Sequence, residues 1–81
     1  MHVKDNLINF LYDKEYYITI YDKYIYCFNY EELISLKSDA IILKMPKFKL
    51  KIKGTDLFIT KMQKKEILIR GIIINIGIEY E

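Results

Sequence analysis

The chain of 81 residues has one cysteine, one proline, three glycines and one histidine, and no tryptophan. Cys27 cannot close an internal disulfide, which suits a reducing compartment or indifference to redox state. Its setting, YIYCF, is that of a small buried hydrophobe, with no base or cation beside it to activate a thiolate. The histidine is His2, at the chain start, so no His-based triad, dyad or multi-His metal site can be assembled. Gly54, Gly71 and Gly77 are scattered and make no phosphate-cradling loop. The close carboxylates Glu31-Glu32 and Asp13/Glu15 sit beside turn-like sequence and read as solvated acids. No catalytic residue, metal ligand or cofactor-binding residue is expected, and the chain does not read as an enzyme.

Long hydrophobic runs are also missing. The longest apolar stretch, IIINIGI at 72–78, falls well short of the ~20 residues of a membrane helix. MHVKDNLINFLYDK interrupts its apolar residues with acids and asparagines, so it lacks the continuous core of a signal peptide. A cytoplasmic protein without a transmembrane segment is the expectation.

What is abundant is isoleucine and tyrosine, which fit pleated, half-buried surfaces. The expected class is all-β, in one domain over 1–81. Asp5 can cap a short helix within 1–14, with Leu7, Ile8 and Leu11 on one face. From residue 16 to 80 alternating runs predict seven or eight short strands: YYITIY, YIYCF, ELISLK, AIILKM, KFKLKIK, LFITKM, EILIRG and IIINIGIE. Asp22-Lys23 and Ser38-Asp39 read as two-residue turns, and Pro46 as a break between AIILKM and the lysine-rich strand. Such short strands with tight connections make a small antiparallel sandwich or barrel.

An internal echo runs at a spacing of seventeen residues. Leu50, Ile52, Lys53, Gly54, Leu57 and Ile59 recur as Ile67, Ile69, Arg70, Gly71, Ile74 and Ile76. Gly54 and Gly71 are therefore candidate structural turns, bulges or points of close backbone approach. The strand IIINIGIE is apolar on both faces over part of its length, which makes Ile72, Ile74 and Ile76 a candidate strand-pairing interface, for a homo-oligomer or a protein ligand.

Charge is segregated: residues 44–70 carry nine basic and two acidic side chains, against a net negative charge on either side. KFKLKIKG puts Lys47, Lys49, Lys51 and Lys53 on one face, a candidate surface for an anionic partner. The simpler reading is the solvated side of an edge or one-sided strand, where lysines deter sheet-to-sheet aggregation. Tyr12, Tyr16, Tyr17, Tyr21, Tyr24, Tyr26 and Tyr30 would suit base stacking, but they alternate with Ile18, Ile20 and Ile25, as core and sheet-covering rings do. Nucleic acid or another anionic surface is thus the alternative partner, not the first.

From Ile18 onward the order of elements resembles the YabP/YqfC family of small sporulation proteins of endospore-forming bacteria. The matching stretches are ITI at 18–20, Asn29-Tyr30, and KLKIKGTDLFITKMQKKEILIRGIIINIGIE, whose rhythm falls on Ile52, Gly54, Leu57, Ile59, Ile67, Ile69, Gly71, Ile73 and Ile76. Glu32 and Asp22 stand where the family often has glycine. The resemblance implies an immunoglobulin-like β-sandwich and a noncatalytic structural or adaptor role in spore envelope assembly. It also implies a protein partner, such as a membrane-bound sporulation protein, and a place on the mother-cell side of the developing envelope. No functional residue is transferred by it.

Overall fold

The structure, a computed structural model, describes residues 16–80. The short helix expected within 1–14 lies outside the described residues. Six strands form one antiparallel sheet: β1 (Tyr17–Ile20), β2 (Tyr24–Phe28), β3 (Glu32–Leu36), β4 (Ala40–Lys44), β5 (Phe48–Met62) and β6 (Glu66–Tyr80), in spatial order β1-β2-β6-β5-β4-β3. All-β and antiparallel are as the alternation predicts. Two features differ. The last four expected strands are two long ones, because Gly54 and Gly71 lie inside β5 and β6 and let each bend without ending. And the sheet is single and continuous, where an immunoglobulin-like sandwich has two separate sheets.

That sheet folds back on itself. A straight strand of the length of β5 would span about 50 Å. Yet Asn29 N–H donates to the Lys65 carbonyl just past one end of β5, and Glu31 N–H to the Lys44 carbonyl beside the other. Two residues of extended chain and two hydrogen bonds leave those carbonyls roughly 13 Å apart at most. The bend is made by register shifts on the β5–β6 ladder between Lys53 and Gly54, Thr55 and Phe58, and Ile59 and Lys61. Each such bulge adds local twist and curvature. The concave face thereby closes on a single core: Ile25 and Cys27 of β2, Ile67 and Ile69 of β6, Ile41 and Leu43 of β4, Phe48, Leu50, Ile52 and Leu57 of β5, with Tyr30 and Met45. Burial of a polar or charged side chain is absent from the described residues.

The halves are related. Hairpin β1–β2 flanks the first part of β6, and hairpin β3–β4 flanks the first part of β5. Tyr21 N–H donates to Tyr24 O at 2.8 Å in one turn, and Lys37 N–H to Ala40 O at 2.9 Å in the other. Gly71 N–H reaches Lys23 O and Gly54 N–H reaches Asp39 O, both at 3.1 Å. The seventeen-residue echo is thus a structural pseudo-repeat up to the glycines. Beyond them it slips by one residue: Leu57 bonds Ser38 O as Ile73 bonds Asp22 O, while Ile74 bulges outward. Pro46 does not break pairing; Met45 N–H closes a tight turn on Phe48 O, and β4 pairs with β5 directly across it.

Candidate functional site

Cys27 is fully buried, and burial pushes its thiol up to about 12, so at neutral pH it is an inert thiol. Among the described residues no three His, Cys, Asp or Glu side chains cluster as a metal site would require. What the fold presents instead is two outward faces and open strand edges.

Alternation in β5 sends Phe48, Leu50 and Ile52 inward and Lys49, Lys51 and Lys53 outward, with Lys47 exposed in the preceding turn. Lys49 stands opposite Lys44 in β4 and Glu79 in β6, and Lys51 Nζ pairs with Glu79 Oε2 at 3.4 Å. Over this stretch β5 has a strand on either side. Of the two places that alternation allows, an edge or a one-sided strand, the lysines take the second: they make a basic outward face on the centre of one half of the sheet.

The other half turns aromatic rings outward. Tyr17 stacks on Phe28 with ring centroids 5.2 Å apart, and Tyr26 lies 6.1 Å from Tyr17. Tyr26 O–H donates to Glu66, which together with burial raises the Tyr26 pKa. Arg70 sits over the Tyr24 ring at 5.5 Å, a cation–π contact. Beside it Phe58, in register with Arg70, is 52% exposed and Ile72 54%. Lys23, Phe58, Arg70, Gly71 and Ile72 line an open hollow of about 370 Å³. Tyr16 and Tyr30 face the core instead, Tyr30 donating to Gln63 O at 3.0 Å. The tyrosines thus divide between core and cover, as their alternation with isoleucine indicates. The lysine row of β5 and the outward tyrosines of β1 and β2 occupy different halves of the folded-over sheet.

Gly54 and Gly71 both lie at the irregular, bent part of the β5–β6 ladder, around Leu57. A Cβ on Gly54 would lie 2.1 Å from the Ile72 carbonyl oxygen, and one on Gly71 would lie 2.7 Å from that of Asp56. Only Gly71 has a positive φ, 135°; neighbouring Asp56, at 55°, supplies the other left-handed residue of the bend. Both glycines therefore serve close approach within strands, not loops between them. Of the apolar residues of β6, Ile72 belongs to the aromatic face, Ile74 is the exposed bulge residue, and Ile76 packs on the core.

Sequence reasoning missed the β2–β3 crossover, where Asn29 (φ 66°) and Tyr30 tie the two halves together, and the Phe58–Arg70 hollow. Asn29 had a signal, since asparagine tolerates the left-handed region. The hollow had none, because its walls come from three separate segments.

The described fold is that of a small all-β domain made from two related halves, without the residue clusters of a metal site. The family model of the YabP family matches residues 13–81, and the chain belongs to that family. Membership makes it a small protein related to sporulation. No curated protein and no solved structure matches it. Among the described residues no helix is long and apolar enough to cross a membrane.

Proposed function

We propose that the protein is a noncatalytic structural or adaptor protein that binds a protein partner during spore envelope assembly, on the cytoplasmic, mother-cell side. The observation that carries this reading is the aromatic face with its hollow. Exposed Phe58 and Ile72 give an apolar floor, and Lys23 and Arg70 give a cationic rim. Aromatic and arginine side chains around a desolvated pocket are the composition of protein-binding hot spots. The partner segment that fits is a large apolar side chain flanked by an acid. The nucleic-acid alternative has less support, since the lysine row of β5 lies on the other half of the sheet from the stacked outward rings of β1 and β2.

The test is a photo-crosslinking amino acid at position 58, with one at position 49 on the basic face as comparison, in sporulating cells. A discrete protein adduct from position 58 that disappears in an Arg70→Glu background is expected. Adducts of the same partner from position 49 alone would move the site to the basic face, and none from either position would refute partner binding through these faces.

A further inference from the structure

The outer edge of β6 changes character along its length. From Glu66 to Arg70 it pairs with β2, and the Gly71 and Ile73 N–H groups reach the Lys23 and Asp22 carbonyls of the β1–β2 turn. From Ile74 to Tyr80 no strand of the described residues lies alongside. An open edge of this kind is a template for another strand. It is also apolar: Ile74 is 67% exposed and Tyr80 75%.

We infer that this edge pairs with its own counterpart in a second copy of the chain, antiparallel and about a two-fold axis at Gly77. The register follows from the ends of the open edge, because Ile73 is already engaged and the midpoint of Ile74–Tyr80 is Gly77. Full-length pairing then sets Ile76 opposite the second copy's Ile78, Asn75 opposite Glu79, and Ile74 opposite Tyr80. Apolar meets apolar, and the only charge meets an amide. Asn75 is flanked within its own chain by Lys53, so the incoming Glu79 also joins a row that ends in a cation. Like charges never face each other.

Two further observations fit this occupant. First, an open groove of about 380 Å³ lies between the β1–β2 turn and β6, lined by Ile20, Tyr21, Asp22, Ile73, Ile74 and Ile76 among others. It adjoins Ile74, where the register delivers the second copy's Tyr80. That ring fills the apolar walls, and Asp22 at the rim can accept its hydroxyl. Two Tyr80 side chains fill two grooves, as an isologous interface requires. Second, the monomer does not need a glycine at position 77. A Cβ there would meet only the Lys51 Cβ, at an ordinary 4.0 Å, and φ is not positive. Position 77 is therefore free to lie on the two-fold axis, with room there for a side chain. This inference uses a different surface from the aromatic face and stands or falls separately from it.

Sedimentation equilibrium of the full chain is expected to give a monomer–dimer equilibrium. Ile74→Lys and Tyr80→Ala, both at exposed positions, should each weaken it about tenfold or more while the β-type circular dichroism persists. Cysteine placement reads the register. Under mild oxidation Gly77→Cys should link to itself, since opposed Cβ atoms in an antiparallel pair are about 5 Å apart. Asn75→Cys and Glu79→Cys should link only when the two variants are mixed. A wild-type chain that stays monomeric at the highest attainable concentration would overturn the inference. So would a dimer that tolerates both edge substitutions, or a Gly77→Cys variant that links no faster than either of the others alone.

Discussion

Placing an alanine at Gly71, Gly54 or Gly77 separates three meanings of a glycine. At Gly71 the added Cβ suffers twice. The φ of 135° lies in a region that L-residues avoid, and the Asp56 carbonyl oxygen and Leu57 Cα sit at 2.7 and 2.9 Å. Backbone strain of this kind costs about 1–3 kcal/mol, and overpacking against rigid atoms costs about as much again. At Gly54 only the second term applies, but the contact is 2.1 Å to the Ile72 carbonyl, with Leu57 Cδ2 at 2.8 Å. Each substitution should therefore cost about 3 kcal/mol, out of a total stability of roughly 4–12 kcal/mol for a domain of this size. Gly77→Ala has no clash and removes backbone freedom from the unfolded chain, so its protomer should be about 0.5–1 kcal/mol more stable. Urea unfolding followed by circular dichroism, at one low protein concentration so that association contributes equally, gives all three values. Both added Cβ atoms would press on Leu57, so the Gly54→Ala/Gly71→Ala double variant should lose less than the sum of the singles. If Gly54→Ala were tolerated within about 0.5 kcal/mol, the approach of β5 to the Ile72 carbonyl would not be as close as described, and the argument for the bend would fail.

Cys27 should resist a thiol reagent in the native protein at neutral pH and react at the rate of unfolding. Because burial raises its folded pKa from the ordinary 9 to about 12, its contribution is present below pH 9 and is lost as pH rises toward 12, at up to about 1.4 kcal/mol per pH unit. Alkaline unfolding in that window should be shallower in Cys27→Ala, and an unchanged profile would remove burial of the neutral thiol as its cause. Changing Lys47, Lys49 and Lys51 to glutamine should leave stability within about 0.5 kcal/mol, since the one ion pair lost, Lys51–Glu79, is exposed and the Lys44–Lys49 opposition is relieved. Solubility should fall. Tight, salt-sensitive binding of single-stranded oligonucleotides by the wild type, abolished in this variant, would instead make the basic face a nucleic-acid site.

Much of this was legible in one dimension. Period-two alternation located every strand start within about two residues, because each strand has one wet and one buried side. The same pattern separated Lys49, Lys51 and Lys53 from Phe48, Leu50 and Ile52, and the repeat around Gly54 and Gly71 pointed to the pseudo-symmetric halves. The family resemblance is read from that same spacing of isoleucines and glycines, and the family model matches residues 13–81. Alternation carries no information on which strands are neighbours, however. That β5 is central, so that its lysines form a face and not an edge guard, follows from pairing across the chain. That Gly54 and Gly71 bend strands instead of ending them depends on carbonyls two strands' width of sequence away, at Ile72 and Asp56. The tertiary structure alone put the outward tyrosines of β1 and β2 and the lysine row of β5 in different halves of one folded-over sheet. It alone left the outer edge of the last seven residues of β6 without a partner strand among the described residues, because β2 begins only at Tyr24, opposite Arg70, and hydrogen bonding between strands is decided by where the chain returns in space, not by local sequence.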